Sequence, residues 1–296
     1  MKPRRTTAGI RRAAASSQVP PHPGGTGASE APRGARPSAA ACACFLDVDH
    51  TLTGWFRDRQ SLCRRKDGSV EAGTLHTAAS LYVNTSHTLA AAFRGGAPMA
   101  FRRDGSVISG LLRATASFAL DRAHTLSAVF LGGAVVTFRP DGSVAEGALQ
   151  QPASLYLDCR HARSAVFGTT GPVAFRTDGS VWAGFLWRRA GLAINAAHSL
   201  SAIFEPACGM TFQRDGSVAT GTLARPTACY LDCGHTLTAW FRAGSPVSFR
   251  TDGSVAMGTL DNFTCLFTDP RHATSAVFPA GSVVTLAVDG SVRPAA

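Results

Sequence analysis

The tetrapeptide Asp-Gly-Ser-Val recurs seven times at an unvarying interval of 37 residues, beginning at Asp67, Asp104, Asp141, Asp178, Asp215, Asp252 and Asp289. A histidine column keeps the same interval at His50, His87, His124, His161, His198, His235 and His272. A fixed period of this length restricts the chain to architectures in which one supersecondary unit is stacked on copies of itself.

Within a period the turn residues cut the chain into short β-rich runs. In the sixth copy, Phe249-Arg250-Thr251-Asp252-Gly253-Ser254-Val255 reads as a hairpin, because Asp-Gly tolerates the positive φ of a tight turn between twisted strands. Asp-x-x-His marks a second turn, the Gly- or Pro-containing stretch after each Phe a third, and the polar stretch after Leu260 a fourth. Four turns predict four antiparallel strands per period, and no long window carries a helical period. The strand after each His ends on Phe56, Phe93, Phe130, Phe167, Phe204, Phe241 or Phe278. The strand before each Asp-Gly alternates large residues with small ones, as at Val247, Ser248 and Phe249. A solvated sheet face carries long polar residues at alternate places, so this pattern predicts burial on both faces. The fold class expected is all-β: seven four-stranded repeats closing into a seven-bladed β-propeller over residues 41–296, with an open β-meander or β-solenoid as the alternative. Ring closure would use Ala41-Cys42-Ala43-Cys44-Phe45 as the missing strand, since the last copy stops just inside its fourth strand and no polar cap stands out.

Leu157-Asp158-Cys159-Arg160-His161 and Leu231-Asp232-Cys233-Gly234-His235-Thr236-Leu237, each followed by Asp-Gly-Ser-Val, resemble the repeat of the regulator of chromosome condensation family. That resemblance implies a seven-bladed propeller. A weaker likeness, in the aromatic-then-Gly hairpins, is to membrane-occupation-type meander repeats.

Residues 1–40 hold Lys2, Arg4, Arg5, Arg11, Arg12, Arg33 and Arg36 against Glu30 alone, so most of the net charge of +10 sits in this segment. Its Ala, Arg, Pro and Gly content predicts disorder. Nucleic acid would find a footing only there, because the repeats are nearly neutral. The segment lacks the apolar stretch of a secretory signal, and no run is long enough to span a bilayer, so an intracellular location is expected. Arg mixed with Ser and Thr before the first acid also fits an organelle transit peptide. Only two of the eight cysteines, Cys159 and Cys233, share a place in the repeat, which predicts reduced, mostly buried thiols rather than a disulfide ladder or zinc site.

The sharpest polar constellation places Asp47, Asn84, Asp121, Asp158, Asn195, Asp232 and Asp269 three residues before each His. A carboxylate can orient an imidazole for catalysis or metal binding. A catalytic site needs one special arrangement, however, and a pair repeated seven times reads as a device that satisfies turn backbone and locks repeat to repeat. Arg65, Arg102, Arg139, Arg176 and Arg250 precede Asp-Gly by two places, interrupted by Gln213 and Ala287; a ring of them could grip phosphates or acidic peptides, but the preferred reading is that they flank the turn and pair with Asp of the neighbouring repeat. Only four glutamates exist, and no Gly-x-Ser-x-Gly elbow, His-Glu-x-x-His or phosphate-binding glycine loop with Lys appears. The expectation is a monomeric, non-catalytic scaffold that binds a protein partner through its loops, with no cofactor or metal. The alternatives are a multivalent, lectin-like carbohydrate binder and an enzyme with a single central-channel site, for which the irregular first and fourth copies are the places to look.

Overall fold

A computed structural model describes residues 41–57 and 62–293. The expectations placed on residues 1–40, namely disorder, a transit peptide and a footing for nucleic acid, lie outside the described residues. Those residues form 27 strands and no helix, and every pairing is antiparallel. No helix among them is long and apolar enough to cross a membrane.

Each period contributes two different pieces. Ala79–Tyr82 and Ala90–Phe93 form an isolated two-stranded hairpin across the Asn84 to His87 turn. Pro98–Phe101 and Val107–Leu111 then form a second hairpin across the Asp-Gly turn, and Val107–Leu111 pairs onward with Val135–Phe138 of the next period. The outcome is one continuous 13-stranded sheet, with seven two-stranded hairpins carried as excursions from it.

This arrangement corrects the propeller expectation. The strands do not segregate into seven four-stranded sheets, and the long sheet is open, running from Cys63–Arg64 at one end to Val283–Thr285 at the other. Cys42–Phe45 does not join the two ends; it pairs with Thr53–Phe56 in the first hairpin. The physical reason is that alternation reports which side chains are buried, whereas closure depends on which strand edges pair. The first sheet strand also differs from its fellows. Arg64 stands where the later copies place Phe101, Phe138, Phe175, Phe212 and Phe249, so a two-residue strand flanked by Arg65 and Lys66 ends the sheet with charge.

The core lies between the hairpin layer and the sheet. The hairpin phenylalanines Phe56, Phe93, Phe130, Phe167, Phe204 and Phe241 are 0 to 1% exposed, as are Leu75, Leu112, Leu149, Leu186, Leu223 and Leu260. Each of the first five of these rings meets the sheet phenylalanine of the next period edge-on, as Phe130 meets Phe175 with centroids 6.2 Å apart. Beneath each ring lies the lone glycine of the same period. A Cβ built on Gly147 would sit 2.7 Å from Phe130 Cδ1 and 2.9 Å from its Cε1, closer than such atoms approach. Gly147→Ala is therefore expected to cost about 1–3 kcal/mol through overpacking, read as a lower urea midpoint, whereas Gly191→Ala, where nothing stands within 4 Å, should leave that midpoint in place.

The opposite face of the sheet is uncovered by any described residue. Its central row runs without a break through cross-strand partners: Cys63, Ala72, Ala100, Ser109, Thr137, Glu146, Ala174, Ala183, Thr211, Thr220, Ser248, Met257 and Thr285. Six of them, Ala100, Thr137, Ala174, Thr211, Ser248 and Thr285, are the small residues that the sequence pattern placed between packed sheets. Ala174 is the one buried member, and it stays outside the hydrophobic core.

Candidate functional site

Both turn columns are built from backbone demands. In the Asp-Gly turn, Gly68 N–H donates to the Arg65 carbonyl, Arg65 N–H donates to Ser69, and Gly68 adopts φ +86°, the left-handed position that closes a three-residue hairpin loop. Asp67 Oδ1 accepts from the Ser69 amide at 2.8 Å and its hydroxyl at 2.6 Å, and the same pair of bonds recurs at Asp104, Asp141, Asp178, Asp215, Asp252 and Asp289.

In the Asp-x-x-His turn, Asp47 Oδ1 accepts from Leu52 N–H at 2.7 Å and Oδ2 from the Thr51 hydroxyl at 2.7 Å. Asp121, Asp158, Asp232 and Asp269 likewise accept from the amides that follow them, and Asn84 and Asn195 accept through Oδ1. The carboxylate does not touch the imidazole three residues on. All seven histidines sit at φ 53 to 57°, a conformation that costs a non-glycine residue roughly 1 kcal/mol or more. That backbone aims the ring away from its own turn. His50 Nε2 lies 3.2 Å from the Asp67 carbonyl, and His124, His161, His198, His235 and His272 repeat the contact at 2.8 to 3.1 Å with the carbonyl 17 residues ahead. A carbonyl only accepts, so Nε2 carries the proton. Phe45, Tyr82, Tyr156, Tyr230 and Phe267 stack on the imidazoles of their periods at 4.3 to 5.1 Å. His87 departs from the column: its Nε2 lies 3.9 Å from Asp104 Oδ2, and both atoms are buried without a hydrogen-bond partner.

The other side of each Asp-x-x-His turn leans on the Asp-Gly turn of the next period. Val48 N–H donates to the Arg103 carbonyl, and a Cβ on Gly105 would lie 3.1 Å from Asp47 Cβ. Comparable backbone bonds join Thr85 to Pro140, Arg122 to Thr177, Ala196 to Thr251 and Cys233 to Val288. The two columns thus interleave as a ladder along one edge of the molecule. No group of three or more His, Cys, Asp or Glu side chains able to hold a metal occurs among the described residues.

The arginine column completes this ladder instead of ringing a surface. Arg139 Nη1 donates to the Ser143 hydroxyl and the Val144 carbonyl of its own turn, and Nη2 to the Phe175 carbonyl of the next period. Arg65, Arg102, Arg176 and Arg250 repeat all three bonds. Half-buried guanidiniums engaged in this way bind protein backbone; the anion grip considered from sequence would need those same donors. Burial lowers the pKa of Arg102, Arg139, Arg176 and Arg250 against the opposing pull of neighbouring aspartates.

The aspartates make the ladder acid-sensitive. Burial acts to raise the Asp47, Asp121 and Asp232 carboxyls, but the hydroxyl and amide bonds they accept outweigh it and hold them below the usual 3.8. The Thr274 hydroxyl and amide bring Asp269 down to about 2, and the Ser69 and Ser291 hydroxyls and amides lower Asp67 and Asp289. Depressed carboxyls contribute stability above their unfolded value of 3.8 and lose it as pH falls through the folded values. The melting temperature is expected to fall steeply between about pH 4 and about pH 2. Asp47→Asn, Asp121→Asn and Asp232→Asn together should flatten that fall, as the natural Asn84 and Asn195 carry no such charge.

The thiols differ from expectation. Cys42, Cys44 and Cys229 are buried, but Cys63, Cys159, Cys233 and Cys265 are exposed, because the latter stand at the sheet end, on turns or on the outer side of a hairpin. Burial pushes the Cys229 thiol up to about 12 and keeps it protonated. Of the two irregular copies, the first is described only in part. The fourth places Trp182 in the open on the outer sheet face and pairs Arg189 with Glu205 at 2.6 Å.

With the repeated polar groups engaged, the largest uncommitted feature is the open sheet face. Its central row contains one charged side chain, Glu146. A flanking row pairs Thr74 with Pro98, Leu111 with Val135, Ala148 with Pro172, Phe185 with Gly209, Thr222 with Pro246 and Thr259 with Val283. Ala134, Val135, Thr137, Glu146, Ala148 and Pro172 line an open groove of about 300 Å³ near the middle of this face. The face offers shape, hydroxyl groups and apolar contact, with Cys63 the one thiol and Glu146 the one carboxylate along its central row. Sequence reasoning missed it because small residues beside large ones look the same whether a second layer covers them or not. Comparison of this chain with known protein families, with curated proteins and with solved structures finds no match.

Proposed function

We propose that this chain is a non-catalytic binding scaffold whose open sheet face receives a protein partner. The observation that carries this reading is the central row itself, thirteen cross-strand neighbours with a single charge among them. An uncovered face of this extent, nearly free of charge along its central row and lined on one flank by Pro98, Leu111, Val135, Ala148, Pro172, Phe185, Pro246 and Val283, is what interaction surfaces present. The hairpin layer opposite gives it rigidity, since each Phe, Gly and Arg column ties one period to the next. The binding surface is then the sheet rather than the loops, because the loops spend their polar groups on one another.

The test is proximity labelling of the tagged full chain in its native cell, with Thr137→Arg and Thr211→Arg on the sheet face compared with Ser80→Arg on the hairpin layer. The partner should disappear from the labelled set with the first two variants and persist with the third. Equal labelling across all three would refute the reading, and several equivalent glycan sites by calorimetry would replace it with the lectin alternative.

A further inference from the structure

We infer that the partner seated on the open face is a second copy of this chain, stacked sheet against sheet about a two-fold axis; the inference rests on the scaffold reading above. Three observations converge on it. The first is size. Thirteen strands spaced about 4.8 Å apart, each presenting about 15 Å of length, give a face near 850 Å², and a stable interface takes about 800 Å² from each partner. An occupant must match a sheet roughly 58 Å long, and an identical sheet does so by construction.

The second is the placement of bulk. Trp182 is 47% exposed and lies on Val181–Phe185, the eighth strand of the thirteen. Large aromatic anchors near the centre of a face carry most of the energy of association. The groove of about 300 Å³ lies across the fifth to seventh strands. A two-fold axis parallel to the strands through the seventh, Pro172–Phe175, superposes the eighth strand of one copy on the sixth of the other. Trp182 of each copy then stands level with Ala145 of its mate, next to Glu146 at the rim of the groove. The bulky ring of one copy thus meets a small residue of the other, a contact made twice about the axis as an isologous interface requires.

The third is charge. Under the same axis Glu146, in the sixth strand, faces Ala183 in the eighth, so the glutamates do not confront each other. Met257, in the twelfth, faces Ala72 in the second, large against small as stacked sheets prefer.

Sedimentation equilibrium of the full chain is expected to give twice its mass of 30.8 kDa at micromolar concentration. Trp182→Glu should weaken the dimer at least tenfold, and Thr211→Arg should do the same through a second position. Trp240→Glu, on the exposed side of the hairpin layer, should leave the dimer intact, with circular dichroism verifying that all variants are folded. A monomeric wild-type chain at 100 µM, a dimer that survives both sheet-face substitutions, or one that Trp240→Glu also dissolves would each overturn the proposal. A monomer whose cellular partner is still lost on Thr211→Arg would remove the self-association and leave the scaffold reading standing.

Discussion

Phe167→Ala is expected to cost about 3–5 kcal/mol, while Phe278→Ala, at the equivalent place in the last period, should cost less than half as much. Phe167 is fully buried, resting on Gly184 of its own period and meeting Phe212 of the next with centroids 5.8 Å apart. Its truncation therefore opens a cavity that spans two periods and loses both the internal and the nearest-neighbour contributions on which stacked repeats depend. Among the described residues no sheet phenylalanine meets Phe278, and its strand, Ser275–Phe278, is exposed at its other three positions. Urea unfolding followed by tryptophan fluorescence measures both. Phe167→Ala should also broaden the transition, because a weak joint in the middle of a linear array lets its halves unfold separately. Equal costs for the two substitutions would mean that the ends are covered as well as the middle, contrary to an open sheet.

The contrast between these two phenylalanines also shows how much of the fold was legible in the sequence. The four turns of each period, the strands between them and the burial of the Phe column follow from Asp-Gly, Asp-x-x-His and alternation, and six periods show them in full, while the last has three strands among the described residues and a partly exposed Phe278. Closure was not legible, since a strand such as Val107–Leu111 carries the same side-chain pattern whether its outer edge meets a strand of its own period or Val135–Phe138 of the next. A clue did exist at Arg64. A charged residue in a column otherwise filled by Phe or Leu marks an end, and a closed ring has none.

The polar columns were legible as structural and misassigned in detail. Asp and His looked like partners because three residues separate them, yet Asp47 bonds the amides that follow it while His50 reaches the carbonyl of Asp67. The left-handed φ of the histidine sends its ring to the far turn, and nothing in the residue types announces that φ. The open face was hidden for a different reason. Ala, Ser and Thr in the middle of a strand suit close packing against another sheet as well as they suit standing uncovered.

Arg139→Ala is the substitution that separates a surface ring from an inter-repeat staple. It leaves the Val144 and Phe175 carbonyls without the guanidinium and strips its alkyl stem from the turn. Unsatisfied buried acceptors cost about 1–3 kcal/mol each, so a loss of about 2–4 kcal/mol is expected in the same urea experiment. The chain contains its own intermediate case. Gln213 occupies the column in the fifth copy, and its Nε2 reaches the Phe249 carbonyl at 3.4 Å, with no bond to its own turn through the side chain. Arg139→Gln should therefore retain part of the connection and cost less than Arg139→Ala. The reverse exchange, Gln213→Arg, restores the donors that its neighbours possess and should stabilise by about 0.5–1.5 kcal/mol. If Arg139→Ala and Arg139→Gln cost the same and Gln213→Arg changes nothing, the guanidinium bonds contribute no joining energy, and the column returns to being a set of cations awaiting an acidic ligand.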